Sequence, residues 1–161
     1  MTRCYLDANY LYVHLRQPRR TPDPRVVDWR RRLVAELAGD GAVISALVID
    51  ELLYRMLLAW LSDDGNPDPL STYRRNRSVI TKTMRTRLTR LWKALDRLNL
   101  ELAVTDQAIV DRARQLLVRP GLAPRDAFHA AHAIEAGCDI IASADTDFDR
   151  VDGLRRLAPT I

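Results

Sequence analysis

Cysteine is scarce: Cys4 and Cys138 are the only two in 161 residues. A single pair excludes a disulfide framework, and its spacing is not that of a zinc site. Each thiol sits in or beside an apolar run, so both read as buried free thiols. Long apolar runs are missing too, and none reaches the roughly 18 residues that a membrane span requires. The opening "MTRCYLDANYLYVHL" breaks its apolar stretch with an acid and carries no signal-peptide cleavage pattern. A soluble, cytoplasmic protein with no membrane association is expected. Lysine is nearly absent, with only Lys82 and Lys93 beside many arginines. Arginine suits phosphate through its planar donor fork, although GC-rich coding also enriches it. The net charge of +4 and a pI near 9.4 are a weak pointer to a polyanionic partner.

Enough is present for a real core, since 47% of the residues are hydrophobic. The length fits one domain over residues 1–161. "RCYL" (3–6) reads as a first strand ending at Asp7, and "ANYLYVHL" continues as a helical turn or two. "RQPRRTPDP" (16–24) is a proline-rich loop. Asp23 with Pro24 starts a helix to about Leu37, closed by Gly39 and Gly41. "AVIS" (42–45) is a second strand, whose Ser45 is positioned to cap the helix "ALVIDELLYRMLLAWL". "SDDGNPDPLS" (62–71) reads as a loop, part of an insertion around 62–77 between two helices. A helix over about 77–98 follows, with Ile80, Met84, Leu88, Leu91, Leu95 and Leu98 as its apolar stripe. "LELAV" (100–104) is a third strand, with Thr105 capping a helix through about Leu117. Pro124 opens "RDAFHAAHAIEA", Gly137 stops it, "DIIAS" is a fourth strand, and "LRRLAP" holds a short fifth. Strands alternating with helices predict an α/β fold with a parallel sheet covered on both faces.

Acids gather where such a sheet keeps its sites, beyond the C-terminal strand ends. Asp7 ends strand one and Asp145 follows strand four. Glu51 lies two turns into an otherwise apolar helix, where an unpartnered carboxylate is costly. Asp126 lies in a first helical turn, which favours negative charge. Taken singly, each acid has an ordinary explanation as a cap, a helix-start charge or an exposed side chain. Four at matched positions suggest a hard cation such as Mg²⁺ or Mn²⁺. "DTDFD" (145–149) also resembles half of an EF-hand loop, but Arg150 and Arg156 stand where that loop needs Gly and Glu. No Ser–His or Cys–His constellation competes for the chemistry.

"YLDAN" (5–9), "ISALVIDELLYR" (44–55) and "LAPRDAFHAAHAIEAGCDIIASADTDF" (122–148) together resemble the PIN-domain family, and within it the VapC-type toxins of type II toxin–antitoxin pairs. The resemblance implies a PIN-like three-layer α/β/α fold with a roughly five-stranded parallel sheet. It places Asp7, Glu51, Asp126 and Asp145 on the family's acidic quartet. Asp147 falls on an auxiliary acid near the metal, Ser143 on a small hydroxyl position and Asn9 on the polar residue after the first acid. The metal set implied is Asp7, Asp126, Asp145 and Asp147, with Glu51 or Asp147 completing one site or a second. A Mg²⁺- or Mn²⁺-dependent endoribonuclease is implied, usually a homodimer, neutralised by a cognate antitoxin whose tail enters the acidic groove. Structured RNA, such as tRNA or rRNA, is the expected substrate. A PIN nuclease of RNA processing and a non-catalytic RNA-binding module are the alternatives.

Contacts to RNA are expected from Arg74, Arg75, Arg77, Lys82, Arg85 and Lys93, with Arg125 either balancing the acids or touching phosphate. A solvated face is the plainer reading of that basic stretch. Tyr73 and Trp92 are candidates for base stacking, but Trp92 reads more readily as core beside Leu88 and Leu95. His129, three residues after Asp126, reads as the packed edge of a helix, the alternative being a donor to a carboxylate or phosphate. His14 and His132 read as packing residues. The apolar residues from Leu52 to Leu61 are either a dimer surface or core.

Overall fold

The computed structural model describes residues 2–16, 23–37 and 41–159. Most of the 16–24 loop and Gly39 therefore lie outside the described residues. Five strands form one parallel sheet: β1 (Cys4–Leu6), β2 (Ala42–Ser45), β3 (Glu101–Ala103), β4 (Ile140–Ala142) and β5 (Arg155–Leu157). Their order is β3-β2-β1-β4-β5. Seven helices among the described residues complete the three layers: α1 (Ala8–Leu15), α2 (Pro24–Leu37), α3 (Ala46–Asp63), α4 (Pro69–Thr83), α5 (Arg85–Asp96), α6 (Gln107–Val118) and α7 (Pro124–Glu135). No helix among the described residues is long and apolar enough to cross a membrane.

The central strands are apolar on both faces because both are covered. Tyr5, Val43 and Ile141 are fully buried. Helix α7 packs on β1, β2 and β4, and α6 packs on α7. Ala127, Ala130, Ala131 and Ala133 let α7 approach the sheet closely, and that approach also buries His129 and His132. On the other flank Trp29 of α2 donates its indole N–H to the Leu157 carbonyl at 2.8 Å, tying that helix to β5. Cys4 and Cys138 are buried free thiols, and burial pushes them up to about 12 and about 11. Thiols held protonated in this way are inert.

Several local expectations change. Residues 62–71 are not one loop, because α3 runs to Asp63 and α4 begins at Pro69. The signals taken for a loop are helix-start signals: Asp68 accepts from the Ser71 amide at 3.1 Å and Pro69 occupies the first turn. The 77–98 helix is two helices broken at Met84. Ile80 and Met84 pack with Leu57 and Leu61, whereas Leu91 and Leu95 join the main core, so the break lets one apolar stripe serve two clusters. Lys82 consequently sits on α4, and Arg85 and Lys93 on α5. Thr105 does not cap α6. The adjacent Asp106 accepts from the Ile109 amide at 3.1 Å, and Thr105 meets His132 Nε2 at 3.2 Å. Ser45 makes no capping bond either, since its hydroxyl pairs with Tyr5 Oη at 2.7 Å. Leu52, Met56, Leu57 and Leu61 are buried within the chain, which removes most of the supposed dimer surface.

Candidate active site

Strands β1 and β4 are neighbours at the centre of the sheet, with β2 and β3 on one side and β5 on the other. Register pairs Leu6 with Ala142, so both strands end level and release Asp7 and Ser143 side by side. Crevices beyond such a switch point are where open parallel sheets hold ligands. Asp7 is 5% exposed. Its Oδ1 accepts from the Ala8 amide, capping α1, and its Oδ2 accepts from Asn9 Nδ2 and Ser143 Oγ, all at 2.6 Å. Ser143 Oγ also accepts from Asn9 Nδ2 and from the Asp145 amide, both at 3.0 Å. Asn9 Oδ1 in turn accepts from the Ala144 amide at 3.1 Å. Burial pushes the Asp7 carboxyl above the usual range, although His129 and the Ser143 and Ala8 hydrogen bonds oppose it.

Ser143 is the hub of this network and is fully buried. Ser143→Ala leaves Asp7 short of a donor and the Asp145 amide short of an acceptor. A loss of about 1–3 kcal/mol is expected in urea unfolding, with an unchanged slope. An unchanged midpoint would show that the network contributes nothing to stability.

Glu51, half-buried on α3, accepts from Arg125 Nε at 2.8 Å and from His129 Nε2 at 3.2 Å. Burial raises its carboxyl pKa. The His129 contacts, Arg125 and Arg55 outweigh burial, and the net direction is down. His129 Nδ1 meets Tyr5 Oη at 3.0 Å, and its Nε2 lies 4.0 Å from Asp7 Oδ1. Because Nε2 faces two carboxylates, that nitrogen carries the proton. His129 is thus a buried donor inside the cluster rather than an edge packing residue. The packing reading fits His132, whose ring stacks on Tyr5 with centroids 6.5 Å apart. The sequence marked Ser45 only as a helix cap and Tyr5 only as strand, because the relay from Ser45 through Tyr5 and His129 to Glu51 joins β2, β1, α7 and α3.

Asp126 is half-buried in the first turn of α7. Burial raises its carboxyl pKa, and the charges of Asp145, Asp147 and Asp7 raise it further. Asp145 is exposed and caps a 3₁₀ turn over Thr146–Arg150 by accepting from the Asp147 amide at 2.9 Å. The remaining acids of that segment are paired: Asp147 with Arg150 at 3.0 Å, and Asp149 with both ends of Arg156 at 2.8 and 2.7 Å. So Arg150 and Arg156, which already excluded an EF-hand, hold acids here. Among the described residues, Asp7, Asp126 and Asp145 have no Arg or Lys within ion-pair distance.

Ligand atoms of Asp7, Glu51 and His129 lie within 4.8 Å of one another. This trio shares with the expected metal set Asp7 and, as the acid expected to complete a site, Glu51, while Asp126, Asp145 and Asp147 join the cluster through their charges. Asp7, Asp126 and Asp145, without an Arg or Lys partner among the described residues and two of them with raised pKa values, form with Glu51 a donor set that fits a hard divalent ion. The expected basic face is exposed. Arg74, Arg75 and Arg77 lie on α4 with Lys82, and Arg85 and Lys93 on α5. Arg87 is committed to Asp64 at 2.7 and 2.9 Å. Trp92 is 42% exposed and does not join the core with Leu95.

Comparison with curated proteins returns no match. Solved structures are similar over nearly their whole length. FitAcB from Neisseria gonorrhoeae matches at TM-score 0.55 and 22% identity, covering 97% of each chain. A toxin–antitoxin complex from Klebsiella pneumoniae matches at 0.55 and 14%, covering 98% of this chain and 99% of that one. VapBC2 from Rickettsia felis, bound to a DNA fragment from its promoter, matches at 0.52 and 17%, covering 99% and 100%. At these identities the likeness is one of fold. The PIN-domain profile matches residues 4–154, a span that runs from β1 past the acid cluster, and the chain belongs to the PIN-domain family.

Proposed function

We propose that this protein is a metal-dependent endoribonuclease, the toxin of a toxin–antitoxin pair, which cuts structured RNA such as tRNA or rRNA at an unpaired loop. The observation that carries this reading is the buried Asp7 carboxylate, fixed by three donors, which together with Asp126 and Asp145 has no Arg or Lys within ion-pair distance among the described residues. Asp7, Asp126 and Asp145 would hold Mg²⁺ or Mn²⁺, with Glu51 or Asp147 completing that site or a second one. Such an ion would supply a hydroxide nucleophile at neutral pH and would offset charge on the phosphodiester. Asn9 and Ser143 orient Asp7. Arg125 and His129 hold Glu51 by donating to its carboxylate.

Membership of the PIN family and the likeness to toxin–antitoxin complexes support a toxin role, with a cognate antitoxin and a homodimer as partners in the cytoplasm. In this reading the chain is one domain over 1–161, with an insertion around 62–77. Total bacterial RNA, incubated with the protein and Mg²⁺ or Mn²⁺, should give discrete fragments that vanish with EDTA. Growth arrest on expression separates a toxin from a nuclease of RNA processing, and chelator-insensitive binding without cleavage marks a binding module.

Backbone neutralisation supplies much of RNA affinity. Exchanging Lys82, Arg85 and Lys93 for Glu should weaken binding and flatten its salt dependence by roughly 2 in log–log slope, at ~0.7 per phosphate contact on a single strand. A salt titration that superimposes on the parent's would remove these residues from the interface.

A further inference from the structure

Aromatic side chains are only 6% of this sequence, yet three of them line one cleft. The cleft, about 650 Å³, lies among α3, α4, α5 and the start of α7. That volume is in the range of small-ligand sites. Tyr54, Tyr73, Leu88 and Trp92 contribute its apolar and aromatic lining, and Glu51 and Arg125 of the acid cluster line it as well. Tyr54 and Tyr73 meet edge to face, with centroids 5.5 Å apart, so that part of the wall is preformed. Of the three tryptophans, Trp29 is buried in the core and Trp60 is half-buried, while Trp92 faces solvent beside this cleft. An exposed indole is not explained by core packing.

We propose that this cleft is a subsite for an unpaired nucleobase of the RNA strand whose phosphate is cut at the acid cluster. The inference rests on the ribonuclease reading and names what the substrate presents beside the scissile bond. Three observations favour a base. Glu51 and Arg125 belong to both the cleft and the acid cluster, so a strand held at one reaches the other. Trp92 and Tyr54 offer flat apolar surface, and stacking on such rings accepts any base. Asp50, also on the lining, repels phosphate but accepts from a base amino group. The residues that follow Tyr73 and Trp92 in the chain, Arg74, Arg75 and Lys93, are exposed cations suited to the phosphates.

The test uses the full chain carrying Asp7→Asn, which leaves RNA uncut, with dye-labelled oligocytidylate and an abasic ribose-phosphate oligomer of equal length. Adding Trp92→Ala should weaken oligocytidylate binding about tenfold, within the ~1–3 kcal/mol of one stacked base. Trp92→Phe should recover most of that loss, and the abasic oligomer should bind all three proteins alike. Unchanged oligocytidylate affinity in Trp92→Ala overturns the proposal. Equal losses on both oligomers overturn it too, because the residue would then act on the fold or the backbone. If Trp92→Ala spares RNA but releases a peptide that co-purifies with the parent, the cleft belongs to a protein partner, and the proposal fails. Weakening by the Lys82, Arg85 and Lys93 exchange alone leaves the ribonuclease reading standing without this subsite. If no oligomer binds any variant, the subsite falls, and the ribonuclease reading stands or falls on the cleavage of total RNA.

Discussion

Asp7→Asn is expected to abolish metal-dependent RNA cleavage, by on the order of 10³-fold or more, in a chain that stays folded. The loss exceeds the roughly 10–100-fold typical of residues that only orient a metal ligand, because the carboxylate itself is removed. Folding should survive because two effects oppose each other. The asparagine oxygen can keep the Ala8 amide bond, but its NH₂ then faces Asn9 Nδ2 and Ser143 Oγ, where Oδ2 accepted before. Ser143 Oγ already accepts from Asn9 Nδ2 and the Asp145 amide, so it can take the new donor only by releasing one of them. Asn9 cannot accept it, since its own oxygen is engaged with the Ala144 amide, and the donor clash costs about 1–3 kcal/mol. Against this, the variant removes a buried charge that burial itself disfavours. Urea unfolding should therefore shift little while fragments disappear from the gel. A variant that cuts as fast as the parent would rule out a metal site at Asp7.

Thermal stability should depend on divalent metal in a pH-dependent way. Asp7 and Asp126 have folded pKa values raised above the ordinary 3.8. Their contribution to stability is fully present below that value and is lost as pH rises through the raised one. Glu51 runs the other way: its folded pKa lies below 4.5, so its contribution is present above that value and is lost as pH falls through the lowered one. As pH rises above about 4 the metal-free protein therefore loses the contribution of Asp7 and Asp126, each at its own raised pKa, while that of Glu51 is already in place. A divalent ion binds the ionised acids and offsets that loss. At a concentration ~100-fold above its Kd it adds about 2.7 kcal/mol, a rise of roughly 5–10 °C in Tm for a domain this size. The rise should be largest near neutral pH and shrink toward the acid end as the carboxyls protonate. Asp126→Asn should raise Tm in chelator and reduce the gain from Mn²⁺. Differential scanning calorimetry across pH decides it, and a gain indifferent to both pH and Asp126→Asn would refute the coupling.

The positions of Asp7 after β1, Asp126 in the first turn of α7 and Asp145 after β4 could be read from the sequence. Each follows from a local rule: an apolar run, a turn signal, a proline at the first helical position, an acid just beyond. Two local expectations failed because a neighbour bound the side chain first. Ser45 is held by Tyr5 and Thr105 by His132, contacts that cross 40 and 27 residues of sequence. The 62–71 segment failed differently, since Asp68 and Pro69 serve a turn and a helix start equally well until the helix has something to pack on.

By itself, the sequence determined an alternating α/β chain, its parallel sheet, its family and the acids at the strand ends. These depend on periodicity and order along the chain, which short-range chemistry enforces. The tertiary structure alone decided which acids keep a cation partner, that His129 is a buried donor to Glu51, and that Arg87 is committed to Asp64. It alone decided that one apolar stripe splits at Met84, burying Ile80 and Leu95 while leaving Trp92 in the open. Those outcomes depend on which faces of distant helices meet, and burial, pairing and pKa are properties of that meeting.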